Sequence, residues 1–408
     1  MKPIKVIMIG AGQRGNAYAY HAGEFPQDIT FVGVAEPHAQ RRERFSTKYN
    51  IPEENQLYTW EDVFTREKWA DAVMICTQDD MHYAPAMAAI EAGYDILLEK
   101  PVAPTQQECE DIARAANEKG VKVVVCHVMR YTPFCREIKK IIDSGELGEI
   151  VTIVHNENVG NIHQSHSFVR GNWRNSYESS PMILAKSCHD MDMLQWFVGK
   201  KCERLSSFGS LSYFNEKNCP PEAPNRCADG CTVDCPYDSR KLYNSDASDW
   251  FKFAVSNKPD PTDEEMAEAL AASPYGKCVY KCDNNVVDHQ VVSLEYEGGV
   301  TVLFSMSAFT PDISRSIKIM CTGGQIKAHS DHNKIIVTNF KTGKTREVDI
   351  TATGGHGGGD HGIMHAFCAY LRGEDVPGIS EINVSVLSHR ACFAAEESRQ
   401  DNGRVIEL

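Results

Sequence analysis

"IKVIMIGAGQRGNAYAYHAGEF", residues 4–25, decides the fold. A short apolar run, Ile4 to Ile9, ends at Gly10, and Gly10, Gly12 and Gly15 fit G-x-G-x-x-G before a helical stretch. The first glycine permits a tight turn. The second lets the backbone approach a pyrophosphate, and the third lets helix pack closely on strand, so the helix N-terminus faces the anion. Gln13 and Arg14 lie inside this turn and are expected to touch the cofactor with it. A second apolar run, "ITFVGVAEP", ends in Glu36 about twenty residues on, where a carboxylate accepts from ribose hydroxyls. Glu36 favours NAD, since a 2′-phosphate would meet a carboxylate. Arg41 and Arg42 follow and keep NADP open as the second choice.

Working outward, "ADAVMICTQDDMHYAPAMAAIEAG" and "YDILLEKPVAPTQQECEDIARAANEKG" each read as strand then helix, and "VKVVVCHVMRYTP" as another strand. Alternating strands and helices imply a parallel, doubly wound sheet with ligands at the strands' carboxyl ends. Thr77, Gln78, His82, Glu99, Lys100 and His127 fall at those ends as candidate cofactor contacts, with Asp79 beside them and Arg130 as a candidate substrate contact. Lys100 is the pointed case. A buried ammonium is costly unless paired or shifted in pKa, so it is a structural ion or a chemical group.

Composition narrows the class. The chain has 408 residues, 42% hydrophobic and 24% charged, so two domains are expected. A formal net charge of -14 argues against nucleic acid or an anionic membrane as partner. The lysines and short apolar run of "MKPIKVIMIGAG" read as a first strand rather than an export signal. Fifteen cysteines in such a chain suit reduced thiols in a cytoplasm, with metal ligation open.

With "GAGQRG", Glu36 and "EKP" in place, the chain resembles the glucose–fructose oxidoreductase / inositol dehydrogenase / MocA family. The resemblance implies an α/β protein, with a Rossmann domain and a second α/β domain with an open, mainly antiparallel sheet. We place the first at 1–126 and the second at 127–408, with a Cys-rich insertion at 215–285. It also implies NAD(P), a polyhydroxylated substrate, a cis proline after Lys100, and a homodimer or homotetramer formed through the sheet.

"SSPMILAKSCHDMDMLQWFVG" is expected to be one helix, in which Lys186 and His189 share a face. The family carries Asp-x-x-x-His here, and its histidine moves the hydroxyl proton. His189 matches that histidine, whereas Ala185 stands at the aspartate position. Lys100, His189 and Lys186 are therefore the candidate catalytic residues, against the plainer reading of His189 as a core histidine. His166, Arg170, Trp173 and Arg174 in "NIHQSHSFVRGNWRNSYESS" read as a substrate loop or, equally, a polar surface loop anchored by tryptophan. His356 and Asp360 in "TATGGHGGGDHGIMHAF" read as a second substrate loop rather than a hinge.

Cys227, Cys231 and Cys235 run C-x3-C-x3-C in a Pro/Gly-rich segment, and Cys278 follows in "KCVYKC". These four would make a closed structural zinc site; an iron–sulfur cluster or unligated thiols are the alternatives. The functional expectation is an NAD-dependent oxidoreductase acting on a sugar, glycoside or polyol hydroxyl. The alternatives are a redox-neutral enzyme that recycles NAD while cleaving a glycoside through a 3-keto intermediate, and a non-catalytic sugar- or nucleotide-binding protein.

Overall fold

The computed structural model describes residues 2–258, 260–351 and 354–408. Ala352 and Thr353 of the glycine-rich stretch lie outside the described residues. The first sheet has six parallel strands: β1 (Ile4–Ile9), β2 (Ile29–Ala35), β3 (Gln56–Leu57), β4 (Ala72–Ile75), β5 (Asp95–Leu98) and β6 (Val123–Val125). Their order is β3-β2-β1-β4-β5-β6, so the winding reverses between β1 and β4 and opens a crevice at the carboxyl ends there. β4 and β6 are buried along their whole length, as expected for strands covered on both faces.

The second sheet has nine strands: β7 (Ile150–Asn158), β8 (Cys202–Ser210), β9 (His289–Tyr296), β10 (Val300–Ser307), β11 (Ser314–Cys321), β12 (Gly324–His329), β13 (Lys334–Asn339), β14 (Thr345–Asp349) and β15 (Ile406–Glu407). The order is β14-β13-β12-β11-β7-β10-β9-β8-β15. Among the described residues of this sheet only the β10–β7 pair is parallel. Tight turns at Gly298–Gly299 and Gly323 join successive strands, as their spacing predicts.

The covalent order and the packing order differ at the end of the chain. Helix Gly359–Leu371 returns to the first domain, where Ile363, Met364 and Phe367 join the core of β1 and β2. Helix Ile382–Gln400 packs Val386 into the first domain's core beside helix Gln106–Lys119 and Ala391 and Ala395 under the second sheet. The cysteine-rich insertion lies between β8 and β9 and has two small cores of its own. One gathers Phe214, Tyr237, Val279 and Tyr280; the other gathers Tyr243, Val255, Met266 and Leu270.

Two segments depart from the sequence reading. The helix expected over 179–199 is two helices, Met182–Ala185 and Cys188–Val198, with Lys186 and Ser187 at the break. Lys186 and His189 thus flank a break instead of sharing a regular helical face. The stretch read as a polar loop holds a buried π-helix, Gln164–Arg170, whose wide turn packs every side chain inward.

Candidate active site

The glycine turn has the form a dinucleotide needs. Gly10 adopts φ 90°, and a Cβ there would sit 2.7 Å from the Cys76 carbonyl oxygen. A Cβ on Gly15 would sit 2.4 Å from the Gly10 oxygen, so helix Gln13–Glu24 can approach only as glycine allows. Gly12 has open space where its Cβ would be, and the helix start lacks a side-chain cap, leaving first-turn amides for an anion. Glu36 is fixed at the end of β2 by the amides of Ala11 (2.8 Å) and His38 (3.0 Å).

β5 delivers Glu99 and Lys100 to the crevice, and the Lys100–Pro101 peptide is cis. Glu99 accepts from Arg14 Nε (2.9 Å), Tyr18 Oη (2.6 Å) and the Lys100 amide (2.6 Å). Burial opposes its ionisation, but Arg14, Lys100 and the Tyr18 hydrogen bond outweigh this and hold the carboxyl below its ordinary value. Arg14 also pairs with Asp360 (2.7 Å), and His356 lies 3.1 Å from that carboxylate. The glycine turn, the end of β5 and the C-terminal glycine loop are therefore tied through one arginine. His82 holds the Pro101 carbonyl (2.7 Å) and lies 3.3 Å from the Thr77 carbonyl, bracing the neighbouring loop, in which Gln78 precedes a short turn.

Lys100 Nζ donates to the Ala185 carbonyl at 2.9 Å, a group freed by the helix break at Lys186. It lies 5.8 Å from the Trp173 ring centre, and Trp173 Nε1 donates to Asp79 (3.1 Å). Among the described residues no carboxylate lies within salt-bridge distance of Lys100. His189 is 7% exposed, with Nδ1 sealed and unpartnered. Burial, reinforced by Lys100 and His127, pushes its pKa well below the ordinary imidazole value, so it is neutral near pH 7. Its ring centre is 5.9 Å from that of His127, which is fully buried. Lys186 sits 3.6 Å from Glu157; burial lowers its pKa and Glu157 opposes the shift.

The structure does not gather every residue named from sequence. Arg130 is buried and bidentate to Asp192 (2.5 and 2.7 Å), so no N–H fork remains for a sugar. His166 is caged by Tyr243, Trp250, Phe251 and Tyr275, and burial, then Arg170, drops its pKa to about 3. Arg170 donates to the Lys277 (2.9 Å) and Tyr237 (2.7 Å) carbonyls, inside the insertion. Arg174 is bidentate to Asp283 and also pairs with Glu178 near the surface. Trp173, His356 and Asp360 remain near the crevice.

Sequence reading missed a buried charge network beneath the site. Arg315 of β11 bridges Glu157 (3.0 Å) and Asp190 (2.7 and 2.9 Å), and His155 meets Asp190 at 2.6 Å. Ser187 Oγ donates to Glu157 at 2.7 Å, which fixes the helix break. The available signal was "VHNEN": polar residues at alternate positions, His155 and Glu157, on the face β7 buries.

Cys227, Cys231, Cys235 and Cys278 line one cavity of about 20 Å³. Cys227 and Cys235 each accept a backbone N–H at 3.4 Å. No three of the described sulfurs lie mutually within 4.8 Å; only His21, Asp28 and His365 meet that spacing, and Arg372 neutralises Asp28. Zinc thiolate ligation needs S···S of about 3.8 Å for bonds of about 2.3 Å, so the sulfurs do not stand in ligation geometry.

Comparison with known proteins settles the family. Residues 4–127 match the oxidoreductase family with NAD-binding Rossmann fold, and residues 135–327 match the GFO/IDH/MocA C-terminal domain. The chain belongs to the Gfo/Idh/MocA family. It is 26% identical over 360 residues to YteT of Bacillus subtilis, named as an oxidoreductase, covering 82% of this chain and 80% of that protein. It is 29% identical over 153 residues to a 2,7-anhydro-N-acetylneuraminate hydratase of Mediterraneibacter gnavus, covering 38% of each chain. An inositol dehydrogenase homolog of Azotobacter vinelandii, solved with NADH and myo-inositol, superposes with a TM-score of 0.70 at 16% identity, covering 100% of this chain and 98% of that one. This Gfo/Idh/MocA chain is an α/β oxidoreductase of two domains. Among the described residues no helix is long and apolar enough to cross a membrane.

Proposed function

We propose that this Gfo/Idh/MocA protein moves a hydride between NAD and a hydroxyl-bearing carbon of a sugar, glycoside or polyol. Lys100 carries the reading: an ammonium at the carboxyl end of a crevice strand, held by a neutral carbonyl. The glycine turn and Glu36 would hold the cofactor, which supplies the hydride acceptor. Lys100 positions the substrate oxygen and stabilises the negative charge that develops on it. His189, neutral and with Nδ1 sealed, takes the hydroxyl proton at Nε2. Lys186 is the second candidate base. Trp173, His356 and Asp360 border the space left for the substrate. The test is absorbance near 340 nm with excess NAD and a panel of free sugars, polyols and glycosides. Continuing NADH formation is expected; no change with any compound overturns the reading.

A redox-neutral variant has its own support, since relatives are named as 2,7-anhydro-N-acetylneuraminate hydratases. It would show aglycone release with absorbance limited to enzyme-bound cofactor.

Three narrower readings accompany the main one. NAD is favoured over NADP because Glu36 closes the end of β2 and Arg42 is spent on the Glu36 carbonyl. A structural zinc at Cys227, Cys231, Cys235 and Cys278 is supported by their shared cavity, and needs the sulfurs to draw together on binding; metal analysis of purified protein tests it. A homodimer or homotetramer is supported by exposed Phe208, Val291 and Leu303 on adjacent strands of the second sheet, and light scattering tests it. None of the fifteen cysteines stands in a disulfide, a state that a cytoplasm maintains.

A further inference from the structure

The insertion reaches well beyond its own cores. Its helix Asp249–Ser256 spans from the second domain to the dinucleotide end of the first. On one side the Trp250 ring packs edge-on against His163 and His166, with centres 4.9 Å away in both cases. The Trp250 carbonyl accepts from the side chain of Gln13, in the glycine turn, at 3.0 Å. On the other side Phe253 lies against two arginines of helix Ala39–Tyr49, with Arg44 4.7 Å and Arg41 5.8 Å from its centre. Asn257, in the left-handed conformation that ends the helix, accepts from Arg41. Gln13 lies two residues after Ala11 and Arg41 three residues after His38, the two residues whose amides hold Glu36, so these contacts fall beside the place where the adenosine half of a dinucleotide is expected. The Arg41 Nε is buried without a partner, so a polar group remains unmatched under this cover.

We propose that the insertion is a third wall of the cofactor site, closing over the adenosine side and slowing exchange of the dinucleotide. This rests on the NAD reading above and deepens it. A cofactor enclosed by two domains and a bridging helix leaves only when that helix lifts. The wall also occupies Arg41, the side chain best placed to receive a 2′-phosphate, and so strengthens the preference for NAD.

The deciding experiment is the release rate of NADH from the full-length protein, followed by stopped-flow fluorescence after displacement with excess NAD. It compares the wild type with the double variant Phe253→Ala/Asn257→Ala. Both residues lie on the insertion's outer helix, away from Lys100 and His189. The expected result is release about tenfold faster, the scale of losing one hydrogen bond and cation–aromatic contacts. NADPH affinity relative to NADH is expected to rise as Arg41 is freed. A release rate within about twofold of wild type overturns the proposal, whatever happens to NADPH. Circular dichroism and melting of the variant guard against misfolding, and the conservative Phe253→Tyr should restore slow release. If the variant releases NADH about tenfold faster yet the wild type oxidises no sugar hydroxyl, the wall stands and the reading of the reaction falls. If it turns over sugar while the variant releases NADH at the wild-type rate, the reverse holds.

Discussion

Two cations, Arg130 buried and Lys100 half-buried, stand near the carboxyl ends of neighbouring strands, and their surroundings separate them. Arg130 follows β6 and meets Asp192 in a bidentate pair, with the Gly378 carbonyl at 3.3 Å. Lys100 follows β5 and is given only a backbone carbonyl, although Glu99 is adjacent in sequence. Glu99 is turned to Arg14 and Tyr18. The fold thus spends its carboxylates on the arginines and leaves the lysine with charge to offer a substrate. A fully matched cation holds structure together, and a half-matched one can do chemistry.

The sharpest way to break this contrast is at Lys100. Lys100→Met should lower kcat by on the order of 10²–10⁴-fold. NAD affinity and melting temperature should stay near wild type, as calorimetric titration and a thermal scan would show. Loss of NAD binding would place the lysine in the wrong role. Arg130→Met should do the opposite, because Asp192 is then buried with only His127, 3.8 Å away and held neutral by burial, beside it: a stability loss of about 3–5 kcal/mol in urea unfolding. His189→Asn should cost about 10²-fold in kcat and remove the acidic limb of the pH–rate profile. In the wild type that limb should lie below pH 6.5, since burial depresses the imidazole pKa. A near-normal rate would move the base to Lys186.

Acid stability sharpens the same contrast. His127, His166, His189 and His389 are all held neutral by burial, with pKa values below their unfolded ones. The unfolded chain therefore binds more protons below about pH 6.5, and stability falls as pH drops from there. Melting at pH 5.5 should lie below melting at pH 7.5, measured by calorimetry. Smallest is Arg174→Ala, which should change stability by less than about 1 kcal/mol and leave kcat alone, because its ion pairs are near the surface.

The first domain was readable because its signals are local. The glycine turn, Glu36 and the apolar strands each lie within one strand–helix unit, and the hairpin turns of the second sheet are equally local. Lys100 and His189 were named for the same reason, through short motifs. What escaped was set by partners far along the chain. Arg130 meets a residue 62 positions away, and Arg170 finds carbonyls 67 and 107 positions away. The helix break at Lys186 depends on Glu157, 30 positions earlier, holding Ser187. Residue type announced a polar group in each case; only the fold assigned its partner.

The return of helix Gly359–Leu371 to the first sheet has a consequence for biosynthesis. Ile363, Met364 and Phe367 complete a core whose strands end at Val125, about 240 residues earlier. At about 5–20 residues per second, a ribosome would carry that unfinished apolar face for roughly 12–50 s. The nucleotide-binding half is therefore translated first and finished last, and chaperones have that interval in which to engage it.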